Sequence, residues 1–363
     1  MDNVRFNPRL ADIVPYDPKY LPAEHMISAN ESPYNVPDEI RYEVRKRLKR
    51  LDYNRYPDPL ANELRDIIAD ANGLERENVL VGNGGDELLF NTALAFGGPG
   101  RTFLNCPPTF SVYEANAELT GTAVVNIPRL PNYRIDEMAV LTRVAKGDID
   151  FIILTSPNNP TGQLVSDTFI RHLLESTDAL VMVDEAYGEF SRATCRPLLQ
   201  GHKNLVILRT FSKAFSCAGV RLGYLLGDAE VISEYLKVRQ PYSVDAVSQL
   251  IGCTVYENRQ LFAPAITSII MQREHLMEEL EATEGVHVYP SDANFILLQM
   301  ERADEAWEKL YEQGVLVRDF SHTPMLEDCL RVSVGTEKDN KALVKGLRKI
   351  MRERRRESAE IVE

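Results

Sequence analysis

The sequence predicts an α/β protein. A large domain carries a mostly parallel sheet between two helical layers (an αβα sandwich), and a smaller α+β domain accompanies it. Two observations predict this. Between residues 78 and 210, five short, wholly apolar runs are interleaved with stretches of helical spacing. Strands that are apolar along their whole length are covered on both faces, as in parallel sheets. Residues 229–284 then lack strand signals, and short strands return around a single helix near the C-terminus, the pattern of a second, smaller unit. At 363 residues the chain is too long for one small core.

The elements follow in order. Residues 1–35, rich in Pro and Asn, read as an extended arm. "DEIRYEVRKRLKR" (38–50) is a charged helix, and "LDYNRYPDP" is a Pro-rich break. The strand "NVLVG" (78–82) leads into the helix "DELLFNTALAF", and "RTFLN" (101–105) leads into "PTFSVYEANAELTG". "DFIILT" (150–155) is followed by a Pro/Asn loop and the helix "SDTFIRHLLEST". "ALVMV" (179–183) and "NLVILRT" (204–210) complete the five strands. In the tail, "VHVYP", "NFILLQM" and "LRVSVG" are strands, with the helix "ADEAWEKLYEQG" between them. The expected division is 1–45 for the arm and part of the small domain, 46–240 for the large domain and 241–363 for the small C-terminal domain.

A net charge of −13 argues against nucleic acid or an anionic membrane as partner. The basic C-terminal run "KIMRERRRESAEIVE" alternates with acids and apolar residues and reads as a solvated helix. Cysteines 106, 195, 217, 253 and 329 form no CxxC pair, so neither a disulfide framework nor a metal site is expected. Reduced thiols, an N-terminus without signal character and no apolar run of 18 residues lead to the expectation of a cytoplasmic protein outside the membrane.

In an open parallel sheet, ligands bind beyond the carboxyl ends of the strands. The chemically versatile residues all fall there: Gly85 and Asp86 after the first strand, Phe110 after the second, Asn159 after the third, Asp184 and Tyr187 after the fourth, Thr210, Ser212 and Lys213 after the fifth. Arg221 follows eight residues after Lys213. A helix start with Gly85 and Asp86 suits a phosphate, with Thr210, Ser212 and Arg221 as further donors. Phe110 suits a flat ring. Asp184 suits a pyridinium N–H, Asn159 and Tyr187 a phenolate oxygen, and Lys213 an aldehyde. Pyridoxal 5′-phosphate (PLP) has all of these parts. Each feature alone has a plain structural reading, such as a turn, a cap or a snorkelling lysine. The joint pattern is what points to the cofactor.

"SPNNPTG", "DEAY" and "TFSKAFSCAGVRLGY", with "NESPY" at 30–34, "RYPD" at 55–58, "PPTF" at 107–110 and "LRVSVGT" at 330–336, carry a resemblance. The chain resembles the class I/II aminotransferases of the fold-type I PLP-dependent transferases, and within them the histidinol-phosphate aminotransferase family. The resemblance implies that Lys213 binds the cofactor's aldehyde and later moves the substrate proton. Asp184 would keep the pyridine nitrogen protonated. Tyr187 and Asn159 would hold its ring oxygen, and Gly85, Asp86, Ser212 and Arg221 its phosphate. Tyr56 would reach the phosphate in the other subunit, so a homodimer with a shared active site is implied. Tyr16, Asn30, Arg318 and Arg331 would bind the substrate's phosphate or carboxylate.

Three positions depart from the family pattern. Gly85 stands where Ser or Ala is frequent, Phe110 where Tyr is common, and Asn35 where Gly is common. The implied reaction converts L-histidinol phosphate and 2-oxoglutarate to imidazole acetol phosphate and L-glutamate, in histidine biosynthesis. An aromatic amino-acid aminotransferase and a threonine-phosphate decarboxylase share the fold and stay open as alternatives. A PLP-binding regulator would need a DNA-binding module, for which the chain shows no signal.

Overall fold

A computed structural model describes residues 5, 10, 21–191 and 193–362. In chain order the first strands are β1 (His25–Met26), β2 (Val79–Gly82), β3 (Thr102–Asn105), β4 (Ala123–Asn126), β5 (Phe151–Thr155), β6 (Leu180–Asp184), β7 (Leu205–Thr210) and β8 (Gly223–Gly227). The remainder are β9 (His287–Val288), β10 (Phe295–Gln299), β11 (Val315–Leu316), β12 (Arg318–Asp319) and β13 (Cys329–Ser333). The large sheet runs β2-β8-β7-β6-β5-β3-β4. The five expected strands are all present and parallel in direction. β4, a half-exposed edge strand, and β8, antiparallel to both its neighbours, were not singled out from the sequence.

Alternation along each strand divides its side chains between two cores. Val181 and Val183 of β6 and Leu205 and Ile207 of β7 face a core shared with Leu64, Ile68, Phe169 and Phe211. Their neighbours Met182, Val206 and Leu208 face Leu88, Tyr113 and Tyr235 on the opposite side. Helices Asn62–Asn72 and Asp167–Ser176 thus cover one face, and helices Gly84–Phe96, Val112–Thr120 and Ala229–Val238 the other. This is why the strand runs contain no polar alternation.

The second sheet runs β12-β13-β10-β9 and is antiparallel throughout. Its core brings Ile296, Leu298, Leu330 and Val332 against Leu276, Leu310 and Leu347 of three helices. β1 of the arm pairs in parallel with β11, joining the N-terminal segment to this unit. Helix Ala246–Glu257, placed by the expected division in the small unit, instead packs Cys253, Val255 and Tyr256 into the large core. Ile40 of the first helix does the same. We therefore place the boundary nearer Phe262. Apolar periodicity marks a helix but not the core it joins.

The carboxyl ends of β2, β3, β5, β6 and β7 open on one edge, where β8 begins. There, an atom at the Cβ position of Gly223 would lie 2.9 Å from the Gly84 carbonyl carbon and the Gly85 nitrogen. Gly223 lets the β2 turn approach β8 at backbone contact distance. Gly223→Ala should push that turn away, lower the protein's stability by about 1–3 kcal/mol and weaken anion binding at the turn. Thermal unfolding and sulfate or phosphate titration of the purified variant check both effects.

Candidate active site

Lys213 lies three residues beyond β7, in a turn where Ser216 (φ 53°) and Arg221 (φ 55°) take left-handed conformations. Its Nζ donates to the Ala29 carbonyl at 3.0 Å and lies 5.9 Å from the centre of the Tyr187 ring. The side chain is half-buried, with the amine partly open to solvent. Burial, then the nearby Arg331 charge, pushes it down to about 8, against the opposing pull of Glu31 and Asp86. An amine so placed has a sizeable neutral fraction at neutral pH, as a nucleophile or base needs.

Asp184 ends β6, in register with Thr155 of β5, and is 4% exposed. Its Oδ2 accepts from the Tyr113 hydroxyl at 2.7 Å and its Oδ1 from the Ala186 N–H at 2.9 Å. Burial pushes its carboxyl up to about 6, while those two donors pull it down. It is therefore ionised at neutral pH at some cost to the fold, and the cost falls if a cationic N–H pairs with it.

Gly84 (φ 78°) and Gly85 open helix Gly84–Phe96, and this start faces the Lys213 turn. Arg221 donates to Ser212 Oγ at 3.4 Å, to the Ala218 carbonyl at 3.2 Å and to Asp86 Oδ2 at 3.0 Å. Thr210 Oγ1 accepts from the Ser212 N–H at 3.1 Å. A side chain at Gly84 would strike Arg221, its Cβ coming within 2.6 Å of Nη2. Bare backbone, a hydroxyl and a half-exposed guanidinium around a helix start fit a phosphate. The Asp86 carboxylate now paired with Arg221 would have to share it.

Asn159 and Tyr187 are both buried, as is Asn30. Asn30 (φ 55°) donates from Nδ2 to the Tyr187 hydroxyl oxygen at 3.1 Å, which leaves the phenol proton for a ligand acceptor. Burial raises the Tyr187 phenol above its ordinary value, with Arg331 and the Asn30 donor pulling it back. Arg331 donates to Asn159 Oδ1, and to the Ser28 carbonyl at 2.8 Å. Arg318 sits directly opposite Arg331 across β12 and β13. Their guanidinium carbons lie 6.0 and 5.6 Å from the centre of the same Phe320 ring.

The structure thus brings together Gly85, Asp86, Asn159, Asp184, Tyr187, Thr210, Ser212, Lys213, Arg221, Asn30 and Arg331, with Arg318 beside Arg331. Phe110 is half-buried and meets Tyr113 edge-on at 5.6 Å. Tyr56 is 82% exposed and stacks on Tyr242 at 4.6 Å. Tyr16 lies outside the described residues. Sequence reasoning missed Tyr113, whose place one helical turn after Phe110 was the available signal. It also missed the Ser28 and Ala29 carbonyls, which no side-chain pattern marks.

A half-buried lysine with a lowered pKa, a buried aspartate with a free lone pair, ring-oxygen donors and a phosphate cradle fit PLP and define a PLP-dependent transferase. Residues 26–347 match the aminotransferase class I and II family. The chain belongs to that family and is a PLP-dependent transaminase. It is 39% identical to histidinol-phosphate aminotransferase 1 of Carboxydothermus hydrogenoformans, over 95% of this chain and 98% of that one. To histidinol-phosphate aminotransferase of Chlorobium phaeovibrioides it is 37% identical, over 94% and 95%. Its fold is similar to that of the Sinorhizobium meliloti histidinol-phosphate aminotransferase solved with pyridoxal-5′-phosphate (TM-score 0.86, 21% identity, covering 96% and 98%). It is also similar to L-threonine-O-3-phosphate decarboxylase of Porphyromonas gingivalis (TM-score 0.80, 25% identity, covering 90% and 99%).

Two outcomes follow from these charges. Capture of an aldehyde by the apoprotein needs the neutral Lys213 amine, so its rate should rise with pH to a plateau with its midpoint at about 8. Stopped-flow mixing with PLP across pH measures this, and a midpoint near the ordinary lysine value of about 10.4 would contradict it. Asp184 has a folded-state value above its unfolded one, so its burial costs nothing below the unfolded value and is fully unfavourable above about 6. Asp184→Asn should therefore stabilise the apoprotein at pH 8 by about 1–3 kcal/mol and bring no gain at pH 4. Apoprotein melting at the two pH values decides it.

Proposed function

We propose that this chain transfers the amino group of L-histidinol phosphate to 2-oxoglutarate, giving imidazole acetol phosphate and L-glutamate. The observation that carries the reading is the cross-strand pair Arg318 and Arg331. Two guanidinium groups facing each other across a sheet concentrate positive charge, which draws an anion. Guanidinium groups accept phosphate and carboxylate alike, so one pocket can serve an amino donor carrying phosphate and a 2-oxo acid carrying carboxylates. The similarity to histidinol-phosphate aminotransferases supports the choice of donor.

Bound PLP supplies the electron sink for the pair released at the substrate Cα. The chain's own groups do the rest. Lys213 Nζ would move the proton from the substrate Cα to the cofactor's C4′ carbon, and the same transfer in reverse would serve the second half-reaction. Asp184 presents a carboxylate to the cofactor's ring nitrogen. Tyr187 and Asn159 hold the ring oxygen, Phe110 packs on the ring face, and Gly85, Asp86, Thr210, Ser212 and Arg221 hold the phosphate. Asn30 orients Tyr187 from the arm. The resemblance alone assigns Tyr16 to the substrate, and that residue lies outside the described ones.

The enzyme works in this reading as a cytoplasmic homodimer. The 82% exposure of Tyr56 leaves its ring available to a second copy, although it stacks on Tyr242 of the same chain. Among the described residues, no helix is long and apolar enough to cross a membrane.

Single-turnover mixing of the PLP-loaded enzyme with L-histidinol phosphate, L-phenylalanine and O-phospho-L-threonine tests the substrate. Histidinol phosphate should convert fastest. A faster reaction with phenylalanine, or release of carbon dioxide from phosphothreonine, would replace the assignment. Arg331→Gln should lower kcat/KM for both half-reactions about 10- to 100-fold, the loss of a hydrogen bond to a charged group. An effect on neither would remove Arg331 from the pocket.

A further inference from the structure

We propose that Tyr113 is a positioning residue that ends a polarised chain of hydroxyls and holds Asp184 as a carboxylate. This rests on the assignment of Asp184 to the cofactor's ring nitrogen.

The polarity of the chain starts at Asn158, which is fully buried. Its Nδ2 donates to the Pro108 carbonyl at 3.1 Å and to Thr161 Oγ1 at 2.8 Å. A carbonyl can only accept, so the amide orientation is fixed and Oδ1 is left as an acceptor. Thr109 spends its only hydroxyl proton on that Oδ1, at 2.8 Å. Towards Thr155 Oγ1, 3.3 Å away, Thr109 can therefore only accept. Thr155 must donate, either along that long contact or to the Tyr113 oxygen at 2.7 Å. The short contact takes the proton. The Tyr113 proton is then committed to Asp184 Oδ2, also at 2.7 Å. The reverse arrangement would need a protonated Asp184 to donate to Tyr113 and would leave Thr155 with its weaker partner. The fixed amide thus favours the ionised carboxylate.

Besides Tyr113, the Ala186 N–H is the donor that favours the carboxylate; the other groups acting on Asp184 oppose it. Its Oδ1 is taken by the Ala186 N–H at 2.9 Å. The charges it feels most, Asp86 and Glu185, are acidic and oppose its ionisation, and burial opposes it further. Glu185 is itself engaged by Arg209. The neighbouring phenol, Tyr187, accepts from Asn30. The Tyr113 hydroxyl is the side-chain donor that pulls Asp184 towards the charged form. Its ring also steadies Phe110 edge-on at 5.6 Å, so one buried residue fixes two faces of the cofactor site.

The test is PLP affinity as a function of pH, measured by reconstituting apoprotein and following cofactor absorbance. Tyr113→Phe keeps the ring and its packing, and its melting temperature confirms the fold. Its acid limb of PLP binding should move up by about one pH unit, and kcat should fall with little change in substrate KM. Thr155→Val, the same shape without the hydroxyl, should shift the limb in the same direction by less. In an Asp184→Asn background, Tyr113→Phe should change nothing further. A Tyr113→Phe limb that coincides with wild type, or a shift that persists in Asp184→Asn, overturns the proposal. Asp184→Asn binding PLP as wild type does would instead overturn the assignment of Asp184.

Discussion

The site depends on keeping charged groups close together without letting them neutralise one another. Lys213, three residues beyond β7, and Asp184, at the end of the adjoining β6, reach one sheet edge with opposite charges that need not pair with each other. Instead each is engaged by neutral groups: Lys213 by the Ala29 carbonyl, Asp184 by the Tyr113 hydroxyl and the Ala186 N–H. A neutral partner satisfies a buried charge at a modest gain and leaves most of its electrostatic energy for a ligand. The parallel sheet makes this possible. It delivers each group from a separate strand, and the strand spacing sets how near they come.

The arm residues Ser28, Ala29 and Asn30 link the two sheets to this arrangement. β1 is fastened to β11 of the small unit, yet four residues later Asn30 contacts Tyr187 of the large one. Between them, two successive carbonyls take Arg331 and Lys213. A substrate anion bound at Arg331, as proposed, would compete with the Ser28 carbonyl, and a covalent ligand at Lys213 would release the Ala29 carbonyl. Ligand binding therefore bears on the same three residues from both sides. The left-handed backbone at Asn30 is held by Ser333 Oγ, which accepts the Asn30 N–H at 2.8 Å, and by Asn294, which donates to its carbonyl at 3.0 Å. That mesh fixes the turn against its own strain.

What the sequence disclosed and what it hid have physical reasons. Lys213 and Asp184 stood out because charged residues directly after apolar strands are costly without a use. The five parallel strands stood out because burial on both faces leaves an uninterrupted apolar run. β8 is equally apolar, but direction within a sheet leaves no periodicity, so its antiparallel course could not be read. β11 and β12 are too short to carry a pattern, although β12 sets Arg318 opposite Arg331. Tyr113 looks like an ordinary core aromatic, since a buried phenol and its hydrogen bond give the same letter. Backbone acceptors such as Ala29 have no letter at all.

The same reasoning limits how selective the arginine pocket can be. Phosphate and carboxylate both satisfy guanidinium groups, so the anion site proposed at Arg318 and Arg331 would admit either without naming its substituent. Discrimination between donors must come from what surrounds the anion. Here that surface is aromatic: Phe320 lies against both arginines and Phe295 against Arg331, while the tilted rings of Tyr133 and Tyr289 have centres 4.8 Å apart in the adjoining cluster with Phe320. Tyr133 belongs to the large unit and donates to the Met325 carbonyl of the small one at 3.1 Å. The wall beside the arginines is therefore shared across the two units. A flat imidazole suits such a wall better than the methyl of threonine phosphate does, so selectivity here depends on the fit between the two units as much as on the arginines themselves.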